Sequence, residues 1–211
     1  MRNTLFLMMS TWLLGGCIAP VNLTYESART LAKGQVDVQG NYGRYYYADK
    51  YGGMTNENYG AKIGYGITDD YTLKFRYEHI ATPNQQWFMD IFGTTYPVKL
   101  EMDYYEVENK IHFSDSWGAV GIPISYYSRL QVFSFDPRYY FTFSNRKNTL
   151  EASIIPKVHL LFAKNIAFMP GLSIGFGISS NLDRWAFRPE VGWDGYASYG
   201  AALTFNLSPR K

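Results

Sequence analysis

His112 and Ser114 are spaced for nucleophilic chemistry. On a β-strand, residues two apart share a face, so an imidazole and a hydroxyl at His-x-Ser spacing can meet, and Glu108 on the same face could orient the ring. The plainer alternative is an interior histidine beside a turn serine, with no catalysis. His79 and His159 each stand alone in their segments, and none of the three histidines shares metal-ligand spacing with another. No metal and no cofactor is expected. The single cysteine, Cys17, excludes an intramolecular disulfide.

The elements that must position these residues are strands. "YTLKFRYEH" alternates from Tyr71 to His79 without a slip, and the same period of two runs from Gln35 to Asn206. Ten strands are predicted, beginning near Gln35, Glu57, Tyr71, Glu101, Trp117, Phe133, Thr149, Ile166, Trp185 and Ala197. No segment between them has the βαβ pattern of a parallel sheet. The predicted class is all-β: a closed, antiparallel, up-and-down transmembrane barrel of about ten strands, with eight as the alternative count. Short turns at 68–70, 114–116, 144–148 and 179–183 alternate with longer links from Asp49 ("DKYGGMTNE") and Thr82. The link near Ala163 to Asn165 departs from this by being short.

Alternation does not say which face is wet. A soluble calyx holds its apolar face inward and binds an apolar ligand, whereas a membrane barrel turns that face to lipid. Ile166, Phe168, Leu172, Ile174, Phe176 and Ile178 on one strand, and Trp185, Phe187, Val191 and Trp193 on the next, would overfill a small interior. Tyr71, Trp117, Trp185 and Trp193 near strand ends suit interfacial girdles. The opposite face carries Asp37, Lys62, Lys74, Arg76, Glu78, Glu106, Glu108, Lys110, Asp136, Arg138, Glu151, Lys157, Arg188 and Glu190. That set holds seven acids and seven bases, as a closed lumen requires if its charges are to neutralise one another. Arg76 is expected near Glu108. Pro123, Pro137, Pro156, Pro170 and Pro189 fall within strands, where bulges, bends or strand ends are expected, and all but Pro123 lie on the lipid side.

Three short motifs resemble known families. "MRNTLFLMMSTWLLGGC" has a basic start, an apolar run too short to span a bilayer, and Leu14-Gly15-Gly16-Cys17. The last tetrad resembles a bacterial lipobox, which implies cleavage after residue 16 and acylation of Cys17. Ile18, rather than aspartate, implies sorting to the outer membrane by similarity to enteric lipoproteins. Gly200, Leu203 and Phe205 resemble the C-terminal signal that the barrel assembly machinery reads, although six residues follow Phe205. His112 and Ser114 resemble the His-x-Ser of outer-membrane lipid A deacylases, but Asp115-Ser116 replaces the Asn-Ala expected after the serine.

The chain thus divides into a signal peptide (1–16), a lipidated linker (17–34), the barrel (35–206) and a tail (207–211). In the linker, Thr24 could cap a short helix that Gly34 ends in the left-handed conformation. An even strand count returns both ends of the barrel to the periplasm, as an anchor at Cys17 requires. Charged residues make up 18% and net charge is +2, so no nucleic-acid footprint is present. The expected partners are outer-membrane lipid and the assembly machinery, with a surface ligand at the 82–99 loop, which carries Trp87, Phe88, Met89, Ile91 and Phe92. The expected function is a non-enzymatic envelope structural or surface-interaction role with a charged, largely closed lumen. The alternatives are a narrow pore, the deacylase-like enzyme and the soluble calyx.

Overall fold

The computed structural model describes residues 21–49, 52–82, 86–89, 95–98, 101–113, 118–163 and 166–207. The strands are β1 (Val36–Asp49), β2 (Gly52–Gly66), β3 (Tyr71–Ala81), β4 (Gln86–Met89), β5 (Thr95–Val98), β6 (Glu101–His112), β7 (Gly118–Tyr127), β8 (Val132–Phe135), β9 (Arg138–Ser144), β10 (Leu150–Phe162), β11 (Ile166–Ile178), β12 (Trp185–Trp193) and β13 (Ala197–Asn206). β4 and β5 form a separate hairpin within the 82–100 link. The others make one antiparallel sheet that closes through β1–β13 and β10–β11. β8 and β9 are two pieces of one stave between β7 and β10. The result is a closed antiparallel barrel of ten staves, each at a position where alternation predicts one.

Four short turns lie at one end of the barrel, with the start of β1 and the end of β13; this is called the turn end. The other is the loop end. The expected long link from Asp49 is not a loop. β1 and β2 continue pairing through it as far as Asp49 and Gly52. The 82–100 link is long, as expected. Trp87, Phe88 and Met89 lie in the β4–β5 hairpin, whereas Ile91 and Phe92 lie outside the described residues.

The faces sort cleanly. In β3, Leu73, Phe75 and Tyr77 are exposed while Thr72, Lys74, Arg76 and Glu78 are buried. Ile166 and Phe168 remain 66% and 59% exposed, whereas Lys110 and Glu108 are fully buried. A calyx would require the reverse. Apolar side chains outside and charges inside is the organisation of a transmembrane barrel.

The prolines thin the ladder without shifting it. Ile124 pairs with Phe135 and Gly121 with Arg138, so register is unbroken across Asp136 and Pro137. The β10 side is likewise continuous, from Leu160↔Phe135 to Lys157↔Arg138. No bulge forms there. The stave simply loses pairing where Pro123 and Pro137 lack donors. Pro170 sits within a continuous ladder opposite Val158.

Ile174, mid-strand and outward on β11, tests the assignment of faces. Ile174→Arg is expected to cost about 2–4 kcal/mol in vesicle refolding if it meets hydrocarbon near the midplane. A wet outer face would leave the refolding midpoint almost unchanged.

Candidate functional site

The lumen charges predicted from alternation are brought together inside the barrel. Lys62, Lys74, Arg76, Glu78, Glu106, Glu108, Lys110, Asp136, Arg138, Glu151, Lys157, Arg188 and Glu190 are all buried. Each comes from an inward position of a strand, except Asp136, which lies between β8 and β9. The expected neighbour of Arg76 is one pair off. In register Arg76 faces Glu106 and Lys74 faces Glu108. Arg76 Nε donates to Glu78 two residues along its own strand (2.7 Å). Glu78 also accepts from the amides of Asn41 (2.6 Å) and Asn58 (2.5 Å). Arg138 pairs with Glu106 at 2.6 Å and lies 3.6 Å from Glu108, which accepts the Tyr140 hydroxyl at 2.6 Å. His159 meets Asp136 at 3.0 Å.

Residues 21–34 are the larger departure from the sequence reading. They form no helix. They run through the lumen, with residues 21–28 all buried. Thr24 caps nothing helical. Its backbone N–H (2.9 Å) and hydroxyl (3.1 Å) donate to the Glu190 carboxylate, as does the Tyr25 N–H. Gly34 does adopt the left-handed conformation, at φ +79°, but there it turns the segment into β1. An extended segment must find partners for its peptide groups, and lumen side chains supply them. Lys62 Nζ donates to the Thr24 carbonyl at 3.1 Å, and Lys157 Nζ donates to that of Asn22. Ala28 N–H donates to Thr142 Oγ1 at 2.7 Å, and Leu31 N–H to Thr72 Oγ1 at 2.9 Å. Gln39 Nε2 reaches the Tyr25 carbonyl at 3.0 Å.

Glu26 is the centre of this arrangement. Its carboxylate meets Lys62 at 2.6 Å, Lys110 at 2.7 Å and Lys74 at 2.9 Å, from three neighbouring strands. On the opposite wall, Arg29 Nε pairs with Glu151 at 2.7 Å, and Arg29 also reaches Asp183 at 3.1 Å. Glu151 is shared with Arg188. The segment therefore presents an acid to the lysine wall and a base to the glutamate wall. Glycines make the space for it. A Cβ at Gly43 or Gly200 would strike the Tyr25 hydroxyl, and one at Gly192 would strike Asn22. Gly66 likewise makes room for the Ala32 carbonyl, whereas Gly60 gives room to β3 at Tyr77 and Glu78, and Gly177 to Glu151. Of the assembly-signal residues, Leu203 and Phe205 face outward, and Gly200 lies opposite Gly43.

Of the catalytic pair, only His112 is among the described residues. Ser114 lies outside the described residues. His112 sits 3.9 Å from Asp70 of the β2–β3 turn, while Glu108 is engaged by Tyr140 and Arg138. His112 lines a turn-end cavity of about 370 Å³ between the segment and the wall, together with Arg29, Asp70, Lys74 and Arg188. Among the described residues no group of three metal-ligating side chains converges. Cys17 and the signal segment lie outside the described residues. Asp194, in the β12–β13 turn, is buried, which pushes its carboxyl above the ordinary aspartate range.

No protein-family model matches the chain, and no curated protein matches it. Among solved structures it is similar to the N-terminal β-barrel domain of Pseudomonas aeruginosa OprF, at 15% identity and TM-score 0.36, over 84% of this chain and 100% of that one. It is also similar to Vibrio cholerae OmpT, an outer-membrane protein, at 12% identity and TM-score 0.32, over 79% of this chain and 64% of that one. A loop-deletion form of the same OmpT gives 13% and 0.32, over 80% and 62%. The barrel stands on its own strand pairing.

Glu26→Ala would leave three buried ammonium groups facing one another. It is expected to destabilise the barrel by about 3–5 kcal/mol, read as a lower temperature for loss of the compact gel-mobility form. Adding Lys110→Met to that variant should recover part of the loss, because one uncompensated charge is then removed.

Proposed function

We propose that this chain is an outer-membrane barrel lipoprotein, anchored through Cys17, whose lumen is sealed by its own residues 21–34. Its role is structural or surface-interacting, without catalysis and without steady conduction. The observation that carries this reading is the path of those residues: they occupy the lumen from one end to the other and bond to strands all around the wall. Ten strands enclose little space to begin with, and open aqueous channels belong to much larger barrels. The lipid-facing exterior supports a membrane location, and the lipobox resemblance supports the anchor. The short turns and the end of β13 support a periplasmic turn end, by the general pattern of such barrels.

The pore alternative survives in one form: a channel that opens if the segment leaves. Planar-bilayer recordings test both readings. The intact protein is expected to stay closed, and a form lacking residues 22–33 to conduct. Steady conductance from the intact protein would overturn the sealed-lumen reading. Fractionation adds a second check. The protein is expected in the outer membrane, with gel mobility that changes on boiling, and the Cys17→Ser form should remain there because the barrel alone holds it. Release of Cys17→Ser as a soluble protein would sink the membrane assignment.

A further inference from the structure

Three ammonium groups of the wall take their main partners from residues 21–34. Lys62 of β2 donates to Glu26 and to the Thr24 carbonyl, and Lys110 of β6 donates to Glu26 and to the Ser27 carbonyl. Lys74 of β3, between them, meets Glu26 at 2.9 Å and has a wall acid, Asp37, at 3.7 Å. Glu108 faces Lys74 in register but is engaged by Tyr140 and Arg138. Other charges of the lumen keep wall partners of their own. Glu151 holds Arg188, Glu106 holds Arg138, and Glu78 holds Arg76, Asn41 and Asn58. Glu190 does rely on the segment, but it is a single carboxylate on β12, separated from β2 by β13 and β1. Among the described residues, then, the lysine wall is where positive charge gathers once the segment is set aside.

The three lysines also converge. They come from three adjacent staves and meet at one carboxylate: Lys62 takes Glu26 Oε1 at 2.6 Å, while Lys110 and Lys74 share Oε2 at 2.7 and 2.9 Å. An ammonium is a compact point charge that asks only for an oxygen, so a carboxylate and a phosphate group both suit it. All three side chains are buried, and a charge pair is stronger there than in water. The cluster is not boxed in. Glu26, Lys74 and Lys110 line the turn-end cavity of about 370 Å³, which leaves space beside the lysines for the rest of a small ion. The acids of that cavity are occupied: Asp183 by Arg29, and Asp69 by the Lys33 N–H. Asp70 lies beside His112.

We propose that Lys62, Lys74 and Lys110 form an oxyanion-binding site, suited to the carboxylate or phosphate group of a small solute, which Glu26 fills as a tethered ligand. A carboxylate carried on the same chain meets the lysines at a high effective concentration. A free ion therefore does not displace it while the segment is seated, and enters once that carboxylate is gone. The site rests on the sealed-lumen reading in one respect: a solute meets the lysines when the segment gives way, and the opened lumen then holds anions at this wall.

The experiment uses the full-length chain, as wild type, Glu26→Ala and Glu26→Ala/Lys110→Met. Each is heated in sodium acetate, sodium phosphate or sodium chloride at matched ionic strength, and the temperature at which the compact gel-mobility form is lost is read. A ligand bound by the folded form alone raises that temperature, so acetate or phosphate is expected to recover about half of the drop caused by Glu26→Ala. Chloride is expected to recover little, the wild type to respond to none of the three salts, and the double variant to lose most of the response. The stronger of the acetate and phosphate effects assigns the solute's group. Equal behaviour of Glu26→Ala in all three salts overturns the site, as does an equal rise in the wild type. Should Glu26→Ala fail to fold in chloride, the yield of compact form on refolding is read instead: recovery in acetate or phosphate upholds the site, and equal failure in all three salts overturns it. Bilayer recordings of the wild type separate this from the seal. A closed wild type without salt rescue of Glu26→Ala overturns the site and leaves the sealed lumen standing, whereas rescue beside a conducting wild type upholds the site and overturns only the seal.

Discussion

Every ionised group inside a narrow barrel surrounded by lipid has to find its counter-charge or its hydrogen bonds within that same enclosure. The rest of this structure follows from that constraint. Strand side chains alone meet it in part: Arg138 with Glu106, Arg76 with Glu78, Arg188 with Glu151. They leave a wall of lysines on β2, β3 and β6, and a glutamate on β12 whose oxygens need donors. One carboxylate at position 26 serves the lysines, and two consecutive peptide N–H groups serve Glu190. The segment that carries them is thus part of the barrel's electrostatics as well as its filling.

The staves, their number and their faces were legible in the sequence because period-two alternation sorts side chains onto two faces of a sheet, and the bulk of the apolar set is too great for a small interior. The buried charges followed for the same reason: Lys74, Arg76 and Glu78 alternate with Leu73, Phe75 and Tyr77, and no other arrangement keeps the apolar set together. Pairwise geometry was less legible. Alternation fixes the face of Arg76 but not the register of β3 against β6, and one pair of slip separates Glu108 from Glu106. The extent of β1 and β2 was misjudged because "DKYGGMTNE" has the composition of a loop, whereas backbone pairing continues into it without any alternation to mark it.

The lumen segment was not legible from its own residues. "VNLTYE" alternates over only six residues and "SARTLAKG" does not continue the pattern, and extended chain that bonds to side chains instead of a neighbouring strand needs no longer repeat. Overall charge balance gave no clue either, since adding Glu26 and Arg29 to a neutral set leaves it neutral. A signal did exist elsewhere. Gly43, Gly192 and Gly200 share the inward face, and a Cβ at each would meet the segment as well as neighbouring strands.

Tyr25 occupies a particular hollow, the one between Gly43 of β1 and Gly200 of β13. Those are the first and last strands of the barrel, and their pairing is the seam that turns an open sheet into a cylinder. The hydroxyl of Tyr25 bonds to the Tyr42 carbonyl on that seam at 3.1 Å. Sealing the cylinder and seating residues 21–34 therefore draw on the same contact. A chain whose amino terminus had been left behind would zip its edges over a void, and it would carry that omission as missing contacts at the very joint that completes the molecule.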